Sequence, residues 1–203
     1  MATHVNTYFL PHFPVTEDKV TFTAGVTGLN EMIAYSLTDE GDGILLGSTI
    51  YGAFNGDLIT KSKYNTLLPP FDIAKTIRCQ LVYTAFGDVD QFSVNAIVKY
   101  ETTLLEARKS GIKIRALLIC NPHNPLGKCY PKETLEALCQ FCGKYDIHLI
   151  SDEIYALSVF KIEGEGTPFT SVLALDAEGF RTDQIHVLYG MSKVSCSFFE
   201  RPQ

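Results

Sequence analysis

The sequence has no surplus of positive charge: 17 Lys and Arg face 23 Asp and Glu over 203 residues, a formal net charge of -6. Nucleic acid needs clustered cations that displace phosphate counterions, so it is not an expected partner. No apolar run approaches the ~18 residues that would cross a bilayer. The start, Met1 to Val15, lacks a basic segment followed by an apolar one, and neither a secretory leader nor a membrane span is expected. The cysteines Cys79, Cys120, Cys129, Cys139, Cys142 and Cys196 show no two-pair metal spacing. A reduced, cytoplasmic chain without a metal is the simplest expectation. Cys139 and Cys142 form a C-x-x-C, but they share an apolar helical face with Leu135 and Leu138, which reads as core packing. G-x-G-x-x-G and P-loop motifs are both missing, so a nucleotide-binding doubly wound protein would lack its usual phosphate motif.

What is present describes an ordinary packed domain, 46% hydrophobic and 20% charged. Short Val, Ile and Leu runs alternate with helical patterns, which predicts an α/β fold with a mainly parallel sheet flanked by helices. Strands are expected at Lys19 to Thr23, Gly43 to Leu46, Gln80 to Tyr83, Ile114 to Cys120, His148 to Ser151 and Gln184 to Tyr189. Helices are expected from Leu29 to Leu37, from Val94 to Ser110 with Gly111 as a C-terminal cap, and from Pro131 to Tyr145. The last carries Leu135, Leu138, Cys139 and Cys142 at helical spacing, with Glu133 at its positive end.

Ligands of an open parallel sheet bind beyond the carboxyl ends of the strands, so the residues that follow each strand are the informative ones. Gly25-Val26-Thr27 precedes a helix and reads either as a phosphate cradle of exposed amides or as a plain cap. Asn121-Pro-His-Asn124-Pro-Leu-Gly127 is a doubled Asn-Pro turn at a strand end. Asp152 leaves a nearly all-apolar strand, where it is either a helix cap or a partly buried carboxylate in need of a cation. Lys193 follows the last strand, after Gly190, Met191 and Ser192. Together these groups fit pyridoxal phosphate chemistry, in which a lysine binds the aldehyde, a carboxylate keeps the pyridine nitrogen protonated and helix-start amides hold the phosphate.

Asn121-Pro-x-Asn-Pro-x-Gly127, Ser151-Asp-Glu-Ile-Tyr155 and Ser192-Lys193, in that order, resemble the class I/II, fold-type I, pyridoxal-phosphate-dependent aminotransferases. Ala24-Gly-Val-Thr-Gly-Leu-Asn-Glu31 with Gly41-Asp-Gly-Ile-Leu-Leu46 is similar to the 1-aminocyclopropane-1-carboxylate synthase branch. The resemblance implies pyridoxal 5'-phosphate as cofactor, an amino acid as substrate and a homodimer as assembly. It implies that Lys193 binds the cofactor and later moves the alpha proton, that Asp152 pairs with the pyridine nitrogen, and that Asn124 and Tyr155 bond the phenolic oxygen. Gly25, Val26 and Thr27 would hold the phosphate, with Ser192 beside the lysine. An aromatic ring on the cofactor face is placed in the segment matching Ser48 to Phe54, at Tyr51 or at the Ile50 position.

The resemblance covers residues 1–193 as a partial large, cofactor-binding domain and stops there; residues 194–203 read as a divergent tail, and truncation at both ends is expected. Arg201 stands near the family's phosphate-contacting arginine but without its glycines. The hydroxyl often found three places before the lysine is replaced by Gly190. Without the family's later carboxylate-gripping arginine, a catalytically inactive fragment is the alternative expectation.

Overall fold

The computed structural model describes residues 1–59, 79–160, 166–176 and 180–193. Arg201, Cys196 and the rest of 194–203 lie outside the described residues. Five strands form one sheet: β1 (Asp42–Gly47), β2 (Cys79–Thr84), β3 (Ile114–Cys120), β4 (His148–Asp152) and β5 (Ile185–Leu188). All neighbours pair in parallel, in the order β2-β1-β3-β4-β5. The chain moves outward from β1 to β2, then returns past β1 to β3. That reversal puts a switch point between the carboxyl ends of β1 and β3, the place where open α/β sheets bind ligands.

Helices cover both faces. On one side, α4 (Ala96–Lys109) and α5 (Lys132–Tyr145) pack Tyr100, Leu104, Leu135 and Leu138 against Leu45, Leu117 and Leu149. On the other, α2 (Gly25–Leu37) and α3 (Phe54–Ile59) bring Ile33, Ala34 and Phe54 against Ile44, Leu118 and Ile150. Sandwiching explains why β1 and β3 carry no hydrophobic alternation: both their faces must be apolar. Gly43 is small because an added Cβ would meet Ile114 Cδ1 at 2.7 Å, just where the β1–β3 register shifts.

The helix ends follow local chemistry. Gly111 takes φ +83° after α4, as expected of a C-terminal cap. Asp146 does the same after α5 at φ +52°, a conformation that Asp tolerates better than most residues. Cys139 and Cys142 lie in the core, their thiols pushed up, Cys139 to about 12, by burial.

One expected strand is absent. Lys19 to Thr23 forms a short 3-10 turn at Glu17–Lys19 followed by unpaired chain. Val-Thr-Phe-Thr has the right local propensity, but no sheet edge accepts it, and Phe22 is left 69% exposed. Gln184 ends a 3-10 turn and Tyr189 follows β5, so that strand is one residue shorter at each end. A short α1 (Ala2–Tyr8) leads into Phe9, and both His4 and Phe9 pack on Tyr189. The described helices include none long and apolar enough to cross a membrane.

Candidate functional site

Parallel pairing puts three of the expected segments at one edge. Cys120 is opposite Asp152, and Asp152 is opposite Leu188. The next residues continue the lattice: Asn121 N–H donates to the Asp152 carbonyl at 2.8 Å, and Glu153 N–H donates to the Leu188 carbonyl at 2.8 Å. The turn after β3, the acidic pair after β4 and the Gly190–Lys193 segment are thereby fixed side by side.

Asp152 is only 5% exposed, and no ion pair among the described residues involves it. Burial pushes its carboxyl up to about 6, against the Ile154 N–H that donates to Oδ1 at 3.1 Å; the Asp57 charge adds to the rise. A carboxyl in such a place ionises readily only when a cation comes to it. Lys193 Nζ lies 6.0 Å from the centre of the Tyr155 ring, and the Lys193 carbonyl accepts from Ser158 Oγ at 3.1 Å. Asn124 stands in the same layer: its backbone bonds the Cys120 thiol, which feels the Asp152 charge.

The glycine-led helix start reaches this group from the other face. Gly25 has φ +82°, a left-handed conformation that favours glycine and turns the chain into α2. A Cβ on Gly190 would lie 3.1 Å from Val26 Cγ2 and 3.9 Å from Ile154 Cδ1. The hydroxyl-bearing residue looked for at 190 would therefore press on the cradle. Beside it a groove of about 980 Å³ runs along α2 and β5, with Gly25, Leu29, Gly190 and Ser192 in its walls.

Other placements depart from simple expectation. Ile50 packs on the core under α2, whereas Tyr51 is 42% exposed with its ring edge-on to Phe54 at 5.4 Å. Asp57, a residue that sequence reasoning passed over, accepts from Thr27 Oγ1 at 3.4 Å and Asn30 Nδ2 at 3.3 Å. It thus puts negative charge at the end of the helix where a phosphate would sit. His123, also passed over, is buried in the Asn-Pro turn. Burial holds its ring at about 4, against a hydrogen bond with the Thr49 backbone that links the turn after β3 to the segment after β1. Only the position of His123 between two asparagines hinted at a role, and nothing local distinguishes Asp57 in α3 from a solvated helix charge.

The residues present suit pyridoxal phosphate: an enclosed carboxyl without an ion pair among the described residues, helix-start amides led by a left-handed glycine, and an exposed lysine whose Nζ stands over Tyr155, three residues after Asp152. The family model described as aminotransferase class I and II matches residues 71–195. A protein named as a probable aminotransferase in Claviceps purpurea is 36% identical over 199 residues, which is 95% of this chain and 42% of that one. A 1-aminocyclopropane-1-carboxylate synthase of Cucurbita maxima is 33% identical over 177 residues, 86% of this chain and 32% of the synthase. In fold, an archaeal alanine:glyoxylate aminotransferase superposes with a TM-score of 0.71 at 22% identity, covering 95% of this chain and 40% of that one. The chain spans less than half the length of the relatives it matches.

Proposed function

The chain belongs to the aminotransferase class I and II family, and on that premise we propose that it binds pyridoxal 5'-phosphate at the strand-end site and acts on amino acids. The observation that carries this reading is the buried Asp152 carboxyl without an ion-pair partner among the described residues, between the Asn124 turn and the Lys193 segment.

When bound, the cofactor supplies a protonated pyridine ring that accepts electrons from a carbanion at the substrate's alpha carbon. Asp152 would pair with that ring nitrogen and keep it protonated; a cation facing it would favour the ionised carboxylate, reversing the effect of burial. Lys193 would hold the cofactor through its amine and would carry the alpha proton. Asn124 and Tyr155 orient the ring through its phenolic oxygen. Gly25, Val26 and Thr27 offer amides and a hydroxyl to the phosphate at the positive end of α2, with Ser192 beside them. Tyr51 is the aromatic side chain available to cover the ring face.

Transamination and elimination or cyclisation share these steps up to the carbanion, and the 33% identity to a cyclising synthase supports keeping both in view. A second reading, a catalytically inactive relative that holds the cofactor weakly, is favoured by Asp57, whose carboxylate lies against Thr27 at the phosphate end. A homodimer in the cytoplasm fits the family resemblance and the buried free cysteines of the described residues.

The test is to incubate the full chain with pyridoxal phosphate, record absorbance at about 420 nm, reduce with borohydride and map the adduct by mass spectrometry. An adduct on Lys193 that is lost in Lys193→Ala supports the assignment; no adduct, or one spread over surface lysines, removes it. Turnover of an added amino acid by the loaded chain then separates the enzyme from a binding-only protein.

A further inference from the structure

Glu153 has no part in the scheme above, yet its side chain is 0% exposed. Oε1 accepts from Ser151 Oγ and from Val172 N–H, both at 3.0 Å, while Oε2 has no hydrogen-bond partner among the described residues. No ion pair among the described residues involves it. A carboxylate enclosed in this way, with one oxygen unpaired and no cation, is strongly disfavoured, and protonation removes the cost. Burial accordingly pushes Glu153 up to about 7, opposed by hydrogen bonds from Ser171, Val172 and Ser151 and assisted by the Asp152 charge.

The partners show what this carboxyl fastens. Val172 opens a 3-10 turn (Val172–Ala174) that crosses behind the strand ends. Asn121, buried after β3, holds the same stretch through Thr170, whose carbonyl accepts from Asn121 Nδ2 at 2.9 Å. Two enclosed polar side chains, from the residues that follow β3 and β4, therefore clamp one segment. Because Glu153 and Asp152 are consecutive, fixing the direction of one fixes the backbone from which the other projects.

We propose that Glu153 is a positioning residue for Asp152, a neutral carboxyl anchored to the Val172 turn that sets the direction of the Asp152 side chain at the site. This rests on Asp152 being the cofactor's partner. A neutral anchor differs in its consequences from a charged one. Below about pH 7, where Glu153 is protonated, glutamine reproduces the neutral acceptor and changes no charge, whereas leucine fills the space without accepting a hydrogen bond.

The experiment follows the Asp152 carboxyl by 13C NMR titration in the full chain, alongside equilibrium binding of pyridoxal phosphate. It compares wild type, Glu153→Gln and Glu153→Leu. For Glu153→Gln, Asp152 is expected to titrate within about 0.3 pH units of wild type, with cofactor affinity within about threefold. For Glu153→Leu, the Asp152 titration should move by about one pH unit and affinity should fall about tenfold. A downward move of Asp152 by about one unit in Glu153→Gln would show that Glu153 is charged and overturn the proposal. So would a Glu153→Leu chain that matches wild type in both readouts. Should Glu153→Leu fail to fold, Glu153→Asp takes its place with the same expectation, because its carboxyl is one methylene short of the Val172 amide. If wild type binds no pyridoxal phosphate, the cofactor reading falls, while the Asp152 titrations still decide the role of Glu153.

Discussion

Gly190 and Val26 approach so closely that a methyl group on Gly190 would lie 3.1 Å from Val26 Cγ2. One belongs to the segment that ends in Lys193, the other to the helix start at Gly25, so the distance couples the lysine to the proposed phosphate cradle. Gly190→Ala should lower stability by about 1 kcal/mol and weaken pyridoxal phosphate binding. Adding Val26→Ala should recover much of the loss, because it removes the atom that clashes. Thermal melts and binding isotherms over the double-mutant cycle check this coupling; additive losses would deny it.

Lys193→Ala is expected to abolish the borohydride-stable adduct. Asp152→Asn should leave attachment possible but slow exchange of the substrate's alpha proton by on the order of 10²-fold, because an amide cannot support the pyridinium charge. Deuterium incorporation at the alpha carbon measures the second effect. Equal exchange in wild type and Asp152→Asn would contradict the role given to the carboxylate.

The same carboxyl sets a pH dependence. Asp152 is raised by burial from its ordinary 3.8 to about 6 in the folded chain. A raised acid contributes stability below its unfolded pKa, and that contribution is lost as pH rises through the folded value. Without cofactor, Asp152→Asn should therefore match wild type most nearly at about pH 4. Its advantage should grow through about pH 6 to a level on the order of 3 kcal/mol. The buried His123 and the half-buried His186, each held at about 4 by burial, act in the opposite direction as pH falls, but they cancel in the difference between the two proteins. Denaturant melts from pH 4 to 8 would show the trend; a constant difference would mean that Asp152 is not raised.

Asp57 gives a prediction of opposite sense for binding. Its carboxylate accepts from Thr27 at the start of α2, where it competes with an incoming phosphate, and its charge raises Asp152. Asp57→Asn should tighten binding of inorganic phosphate and of pyridoxal phosphate by about three- to tenfold at low salt, with the gain shrinking as salt is added. The Asp152 titration should move down in the same variant. Weaker binding in Asp57→Asn would mean that Asp57 holds Thr27 in place for the ligand.

Much of the molecule was legible in one dimension because its signals are local. Ile114 to Cys120 and His148 to Ser151 declared themselves as strands through continuous apolar runs, which only a sheet covered on both faces requires. The helix ending at Tyr145 was readable from the repeat of Leu135, Leu138, Cys139 and Cys142, and Gly111 from the left-handed cap it supplies. The candidate site residues, from Gly25 to Lys193, were proposed from motifs and from their position just after strands. α3, α1 and the absence of a strand at Lys19 to Thr23 were not readable. A strand exists only where an edge accepts its hydrogen bonds, and a short helix is stabilised by what it packs on. Tertiary structure alone decided the order β2-β1-β3-β4-β5, the register that sets Cys120 against Asp152 and Asp152 against Leu188, and the approach of Asp57 to Thr27 and of Val26 to Gly190. Sequence composition and spacing determine which groups can do the chemistry; burial and distance, which depend on parts of the chain far apart in sequence, determine their charge and which of them meet.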